Sequence, residues 1–263
     1  MKPSGDRKLT RHRYDYKRNQ SMGVDRSLSW LTGEHSSLDH PADISEPGAG
    51  GKFDFTGAVL PYPGNTFICH IDQSSYFYRS LCDLQDAIRA LPNADCMTFL
   101  PKKSFHMTVF CGVGGVPLNA DGWPSGIEAS ATLDNINNFW CDRLQSLGKL
   151  GGFVVKPDSL RAPYSVRMCP GTDDAASALI HARTCLETFT GIVRGDLHCY
   201  EFHITLGYLL RWMTDEDAET LIAQSNRLYS HHLSGFDSIT LGALEFCTFE
   251  NMHQFNRMRL FEE

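Results

Sequence analysis

The chain has 263 residues, 42% hydrophobic and 21% charged, with a net charge of −7. That is ordinary globular composition, enough for one large core or two small lobes. No run approaches about 18 apolar residues and the start is polar and basic, so the sequence reads as having neither a membrane span nor a secretory leader.

The charge is uneven. Residues 1–20 carry seven Lys/Arg against two Asp, which leaves −12 on the remainder. A basic arm of this kind is a candidate nucleic-acid contact, whereas the acidic body argues against a broad phosphate-backbone footprint. The nine cysteines are scattered and form no Cys-x-x-Cys pair. That pattern predicts reduced thiols, a cytoplasmic location and no zinc site.

In chain order, residues 1–52 read as a basic arm or extension ending in the linker-like run Glu46-Pro47-Gly48-Ala49-Gly50-Gly51, and the compact domain is placed at 53–263. Strands are predicted at 53–60 and 65–71 around Pro61-Tyr62-Pro63-Gly64. Apolar residues at 77, 81, 84, 88 and 91 predict a helix over about 74–91, stopped by Pro92. Strands follow at 97–100 and 104–113, then an amphipathic helix at about 133–147. Strands at 152–156 and 163–169 flank a turn at Pro157-Asp158, and a helix spans about 173–190. A further strand at 200–210 precedes a helix over about 214–229 capped by Thr214. Strands near 236–248 and 254–261 close the chain.

Two of these strands share one make. Phe105-His106-Met107-Thr108-Val109 and Phe202-His203-Ile204-Thr205-Leu206 each read aromatic, His, aliphatic, Thr, aliphatic. Alternation puts His and Thr on one face of each strand and the aliphatic residues on the other. A single strand histidine is more often structural than chemical. The matched pair suggests a cleft in which two strands present the same acid/base group and hydroxyl.

The paired His-x-Thr strands, about a hundred residues apart in a strand-helix-strand order, resemble the 2H phosphoesterase superfamily. Its members include bacterial RNA 2′,3′-cyclic phosphodiesterases, also called 2′-5′ RNA ligases, and plant cyclic phosphodiesterases. The resemblance covers about residues 53–263. It implies a bilobal α+β fold with an internal pseudo-two-fold repeat: two antiparallel sheets form a V-shaped cleft, helices cover the outer faces, and each sheet carries one motif. It further implies His106 and His203 as the acid/base pair and Thr108 and Thr205 as phosphate-holding hydroxyls. In the plant enzymes a tyrosine five positions after the second His contacts phosphate, which is Tyr208 here. Strict alternation from His203 points Tyr208 to the core, and Gly207 marks where a bulge would turn it back.

The chemistry suits the residues independently of any family. Imidazole, with a reference pKa of about 6.5, serves as base or acid near neutrality, so two opposed histidines can hydrolyse a cyclic phosphodiester without a metal or cofactor. Lys102 and Lys103, before the first His strand, and Arg161 and Arg167, flanking Tyr164, are candidate cations; Lys102, Arg167, Tyr164 and Tyr208 are the expected substrate contacts, and His70 is a further group for the groove. The expected partner is a nucleotide or RNA end, with no membrane. The main alternative is an RNA- or nucleotide-binding module with the same cleft and no turnover. A metal-dependent hydrolase is disfavoured because no His-x-x-x-His or Cys cluster is present.

Overall fold

Local chemistry sets where four of the helices begin in this computed structural model, which describes residues 23–118 and 122–261. Ser75 caps α2 (Tyr76–Arg89), Thr132 caps α3 (Leu133–Arg143), Thr172 caps α4 (Asp173–Thr190) and Thr214 caps α5 (Asp215–His232). Each cap hydroxyl accepts from the backbone N–H three residues on, satisfying a donor that the first turn leaves free. Gly191, at φ 70°, ends α4 in the left-handed conformation that favours glycine.

Among the described residues ten strands join these helices: β1 (Gly64–His70), β2 (Met97–Phe99), β3 (His106–Gly114), β4 (Val154–Ala162), β5 (Ser165–Pro170), β6 (His203–Thr205), β7 (Gly207–Leu209), β8 (Ile239–Thr240), β9 (Glu245–Asn251) and β10 (Gln254–Leu260). Eight form one antiparallel sheet in the order β10-β9-β1-β3-β6-β5-β4-β8, and β2 pairs with β7 in a small second sheet. The expectation of two sheets with one motif each is therefore corrected. The His strands β3 and β6 are neighbours at the centre of one continuous sheet, because Met107 pairs directly with Ile204.

The main core lies between one face of this sheet and the helices. Met107, Val109 and Ile204 are completely buried there. Burying such side chains contributes about 1.5–3 kcal/mol each, and a one-residue slip would exchange them for His and Thr, so the apolar triplet fixes the register. His106, Thr108, His203 and Thr205 alternate with them as half-buried residues on the opposite face.

Three expectations need correction. Residues 53–60 form no strand; the Asp54 carboxylate accepts from the Thr56 and Ala58 backbone N–H groups at 2.8 and 2.9 Å and closes a turn at Gly57 (φ 84°). Pro157 is not in a turn but inside β4 at a break in the ladder, where its missing N–H is not needed, and the chain reverses at Pro163-Tyr164 instead. The extension is not a separate arm over its described part. α1 (Gly23–Thr32) places Leu31 in the main core, while Ile44 and Phe53 are completely buried in a second apolar cluster with Tyr62, Leu210 and Phe249. The basic stretch at 1–20 lies outside the described residues.

Candidate active site

The β3–β6 register builds the site. With Met107 opposite Ile204 in an antiparallel pair, His106 falls opposite Thr205 and Thr108 opposite His203. Each histidine thus has the other motif's threonine as its cross-strand neighbour, and the two histidines are diagonal neighbours about 7–8 Å apart. Any antiparallel pair carries a local dyad; here it exchanges one tripeptide for the other.

The side chains repeat the symmetry. His106 Nδ1 lies 2.7 Å from the Ser104 carbonyl oxygen and His203 Nδ1 lies 2.8 Å from that of Glu201. A carbonyl only accepts, so both Nδ1 atoms carry the proton and donate. Each Nε2 is left as the lone-pair nitrogen, and none of the described residues bonds to either one. Desolvation lowers both imidazole pKa values to about 4, against which the backbone bonds to Ser104 and Glu201 pull upward.

Their surroundings differ. Beyond burial, His203 is held neutral by Arg161 and, less strongly, by Lys52. Glu201 ion-pairs with three guanidinium groups, Arg167 at 3.3 Å and Arg26 and Arg161 at 3.4 Å each, so the cluster beside His203 is net positive. His106 instead packs on Phe255, with ring centroids 4.2 Å apart, and on His70 at 6.2 Å. His70 is its register partner on β1, and the His70 Nδ1–H donates to Glu245 at 3.0 Å. Burial raises the Glu245 carboxyl, but the His70 bonds and charge outweigh it and keep the group ionised.

A cleft of about 840 Å³ opens over the His203 side of the seam and includes His203, Thr205, Tyr164 and Tyr208 in its walls. Tyr208 reaches it through a bulge: the Leu206 and Gly207 N–H groups both donate to the Tyr164 carbonyl, at 2.7 and 3.2 Å, and this extra residue reverses the alternation. Leu209 then faces the main core, while Tyr208 packs on Phe53. Gly207 is needed for a second reason, since a Cβ there would lie 2.4 Å from the Thr98 carbonyl oxygen of β2. Arg167 is the register partner of His203 and sits behind Glu201.

Lys102 is not brought to the site. A single 3-10 turn, Lys102–Ser104, directs its amine to Asp86 on α2, away from the sheet face that holds the histidines. The cleft instead takes Lys52, beside Arg26 and Arg161; Lys52 ion-pairs with Asp43 at 2.8 Å and stands over the Tyr62 and Tyr208 rings at 5.4 and 5.3 Å. Burial pulls its pKa down, but Tyr208 and the Asp43 carboxylate hold it well above the ordinary lysine value, so it stays charged. Nothing in the sequence marked it except its place after a glycine run. Ser165 was also missed. It is the register partner of Thr205, it lines the cleft, and its buried hydroxyl has no hydrogen-bond partner among the described residues.

Among the described residues, His70, Glu245 and Cys247 place possible metal ligands within 4.8 Å of one another. The donor set does not favour a cation. Glu245 is engaged by His70 and Arg257, and burial pushes the Cys247 thiol up to about 12, so it holds its proton. No helix among the described residues is long and apolar enough to cross a membrane.

Residues 52–160 match the family model 2H-phosphodiest, a domain of unknown function (DUF1868). No curated protein matches the chain. Among solved structures, a conserved protein of unknown function, ATU0111 from Agrobacterium tumefaciens str. C58, is 25% identical with a TM-score of 0.78, over 89% of this chain and 98% of that one. A crystal structure of a phosphoesterase matches loosely, at 12% identity and a TM-score of 0.44, over 76% of this chain and 96% of that one. One His-x-Thr strand lies inside the segment that matches the 2H-phosphodiest model, and the second, outside it, pairs directly with the first, so the likeness to that family and the paired motif meet on one strand seam.

Proposed function

We propose that the protein is a phosphodiesterase that hydrolyses a 2′,3′-cyclic phosphate, or a related 2′-linked nucleotide or RNA end, by two-histidine general acid/base catalysis. The observation that carries this reading is the β3–β6 register, which sets two Nδ1-protonated imidazoles diagonally across two threonine hydroxyls. In this reading the substrate enters from the cleft that His203 and Thr205 line and reaches across the strand pair to the second motif. The phosphate sits over it, with the Thr108, Thr205 and Ser165 hydroxyls donating to its non-bridging oxygens and Lys52 balancing their charge.

His203, surrounded by cations, is the base and His106, near the Glu245 carboxylate, the acid. His203 Nε2 takes a proton from water as the water oxygen bonds to phosphorus. The P–O bond to one ribose oxygen breaks, and that oxygen takes the proton from His106 Nε2. A bound phosphate anion raises the pKa of the adjacent imidazole, so His106 is protonated in the complex although its value is about 4 in the empty site. The product is a nucleoside monophosphate, and His203 returns its proton to water. With the 5′-hydroxyl of a second nucleotide in place of water, the same two proton transfers join a 2′-linked phosphodiester without ATP: the new P–O bond forms to that hydroxyl, which gives its proton to His203, and the ribose 3′-oxygen leaves with the proton from His106. Both proton transfers are supplied by side chains, so no metal is needed.

The test is turnover of adenosine 2′,3′-cyclic phosphate by the purified protein, with and without a chelator. Hydrolysis that survives the chelator is expected. Tight binding with no turnover would instead establish the runner-up, a nucleotide-binding module. Activity abolished by the chelator and restored by a divalent cation would overturn the metal-free mechanism.

A further inference from the structure

The segment before Lys52, expected to lie outside the catalytic domain, forms a wall of the cleft that holds His203. It is fastened there by the Ser27 hydroxyl on the Arg161 carbonyl oxygen at 2.9 Å, the Met213 N–H on the Leu31 carbonyl at 2.9 Å and the Trp212 indole N–H on the Leu38 carbonyl at 3.2 Å. Gly33, at φ 71°, lets the chain turn against the Trp212 ring, which a Cβ would meet at 2.5 Å.

This wall puts Trp30 into the cleft, with the Arg161 guanidinium carbon 4.6 Å from the centre of its ring. Arg161 also reaches the His203 side of the site, where its charge lowers the imidazole pKa. A guanidinium plane on an indole is a stacking surface of the kind that holds nucleobases, and base–aromatic stacking is sequence-tolerant because every base has a π-face. A cleft of about 840 Å³ has room for one nucleotide. The net charge of −12 outside residues 1–20 argues against a broad phosphate-backbone footprint for a longer strand.

We propose that the Trp30–Arg161 stack, on a wall made by residues 26–52, is the base subsite of this cleft, so that the preferred substrate is a single nucleotide unit whose base stacks there while its phosphate meets the histidines. This rests on the phosphodiesterase reading for its chemistry, but the subsite is a binding claim in its own right. It predicts a preference for a nucleoside cyclic phosphate over one without a base, arising at a residue far in sequence from either motif.

The experiment compares parent, Trp30→Ala and Trp30→Phe on adenosine 2′,3′-cyclic phosphate and on ethylene phosphate, a five-membered cyclic phosphate with no base. Calorimetric binding of adenosine 2′-monophosphate is measured in parallel. The ratio of kcat/KM for the two substrates is expected to fall at least tenfold in Trp30→Ala, mainly through KM, and to recover partly in Trp30→Phe; nucleotide affinity should fall in the same order. Thermal melts separate loss of the stack from loss of the wall, and Trp30→Phe keeps the comparison usable if the alanine variant unfolds. A parental preference near unity, or a ratio and affinity unmoved by either substitution, overturns the subsite while leaving the phosphodiesterase reading intact. Nucleotide binding that depends on Trp30 in a protein that hydrolyses neither compound keeps the subsite and overturns the phosphodiesterase. A protein that neither binds nor hydrolyses any of them overturns both.

Discussion

His106 and His203 stand on matching backbones and in opposite company. Each follows a buried aromatic residue, donates from Nδ1 to the carbonyl two residues earlier, and faces the other strand's threonine. Around His203 the neighbours are Arg161, Lys52 and a carboxylate shared by three arginines; around His106 they are a phenylalanine ring and the His70–Glu245 pair. Geometry therefore supplies two interchangeable imidazoles, and the electrostatic field makes them different. A reaction that needs a base on one side and an acid on the other needs both features.

The largest test of this comparison removes one ring at a time. His106→Ala and His203→Ala should each lower turnover by about 10²–10⁴ with an unchanged circular dichroism spectrum, because both rings lie on the face away from the main core. Near-parental turnover in either variant would show that one histidine is only a neighbour.

A smaller effect is expected on stability. Both imidazoles titrate at about 4 when folded and at about 6.5 when unfolded, so the unfolded chain binds more protons between those values. Their contribution is complete above pH 6.5 and is lost as pH falls towards 4, on the order of 1–2 kcal/mol for each partly screened ring. Denaturant unfolding across this window should show a shallower acid slope in the His106→Gln/His203→Gln double variant. An identical slope would mean that the rings are not desolvated.

The finest test sharpens the difference itself. Arg161→Met removes a positive charge from beside His203 and should raise that ring's pKa by roughly half a unit while leaving the His106 ring unmoved, since the charges that act most on His106 are those of His70, His203 and Glu245. Imidazole proton shifts followed by NMR titration would report both. Shifts in the same direction would sink the assignment of His203 as base and His106 as acid.

The parts of the site legible in the sequence were those written in consecutive residues. Alternation in Phe105–Val109 and Phe202–Leu206 places the His and Thr side chains on one face, and Thr214 or Gly191 mark helix ends through contacts a few residues away. Even Tyr208 was half legible: alternation pointed it to the core and Gly207 signalled the bulge that turns it to the cleft. Lys102 misled because nearness in sequence to the first motif is not nearness in space; one 3-10 turn sends its amine to α2.

The sequence by itself determined the paired motif and its polar face, because period-two alternation and local capping depend only on neighbours in the chain. Only the tertiary structure decided that the two motifs sit side by side in one sheet, and that Lys52, Ser165 and Trp30 join them. It alone set the His70–Glu245 pair against one histidine and Arg161 near the other. Those contacts join residues tens to well over a hundred positions apart. They are fixed by burial of Leu31, Ile44 and Phe53 and by long-range strand pairing, for which no short stretch of sequence carries a periodic signal.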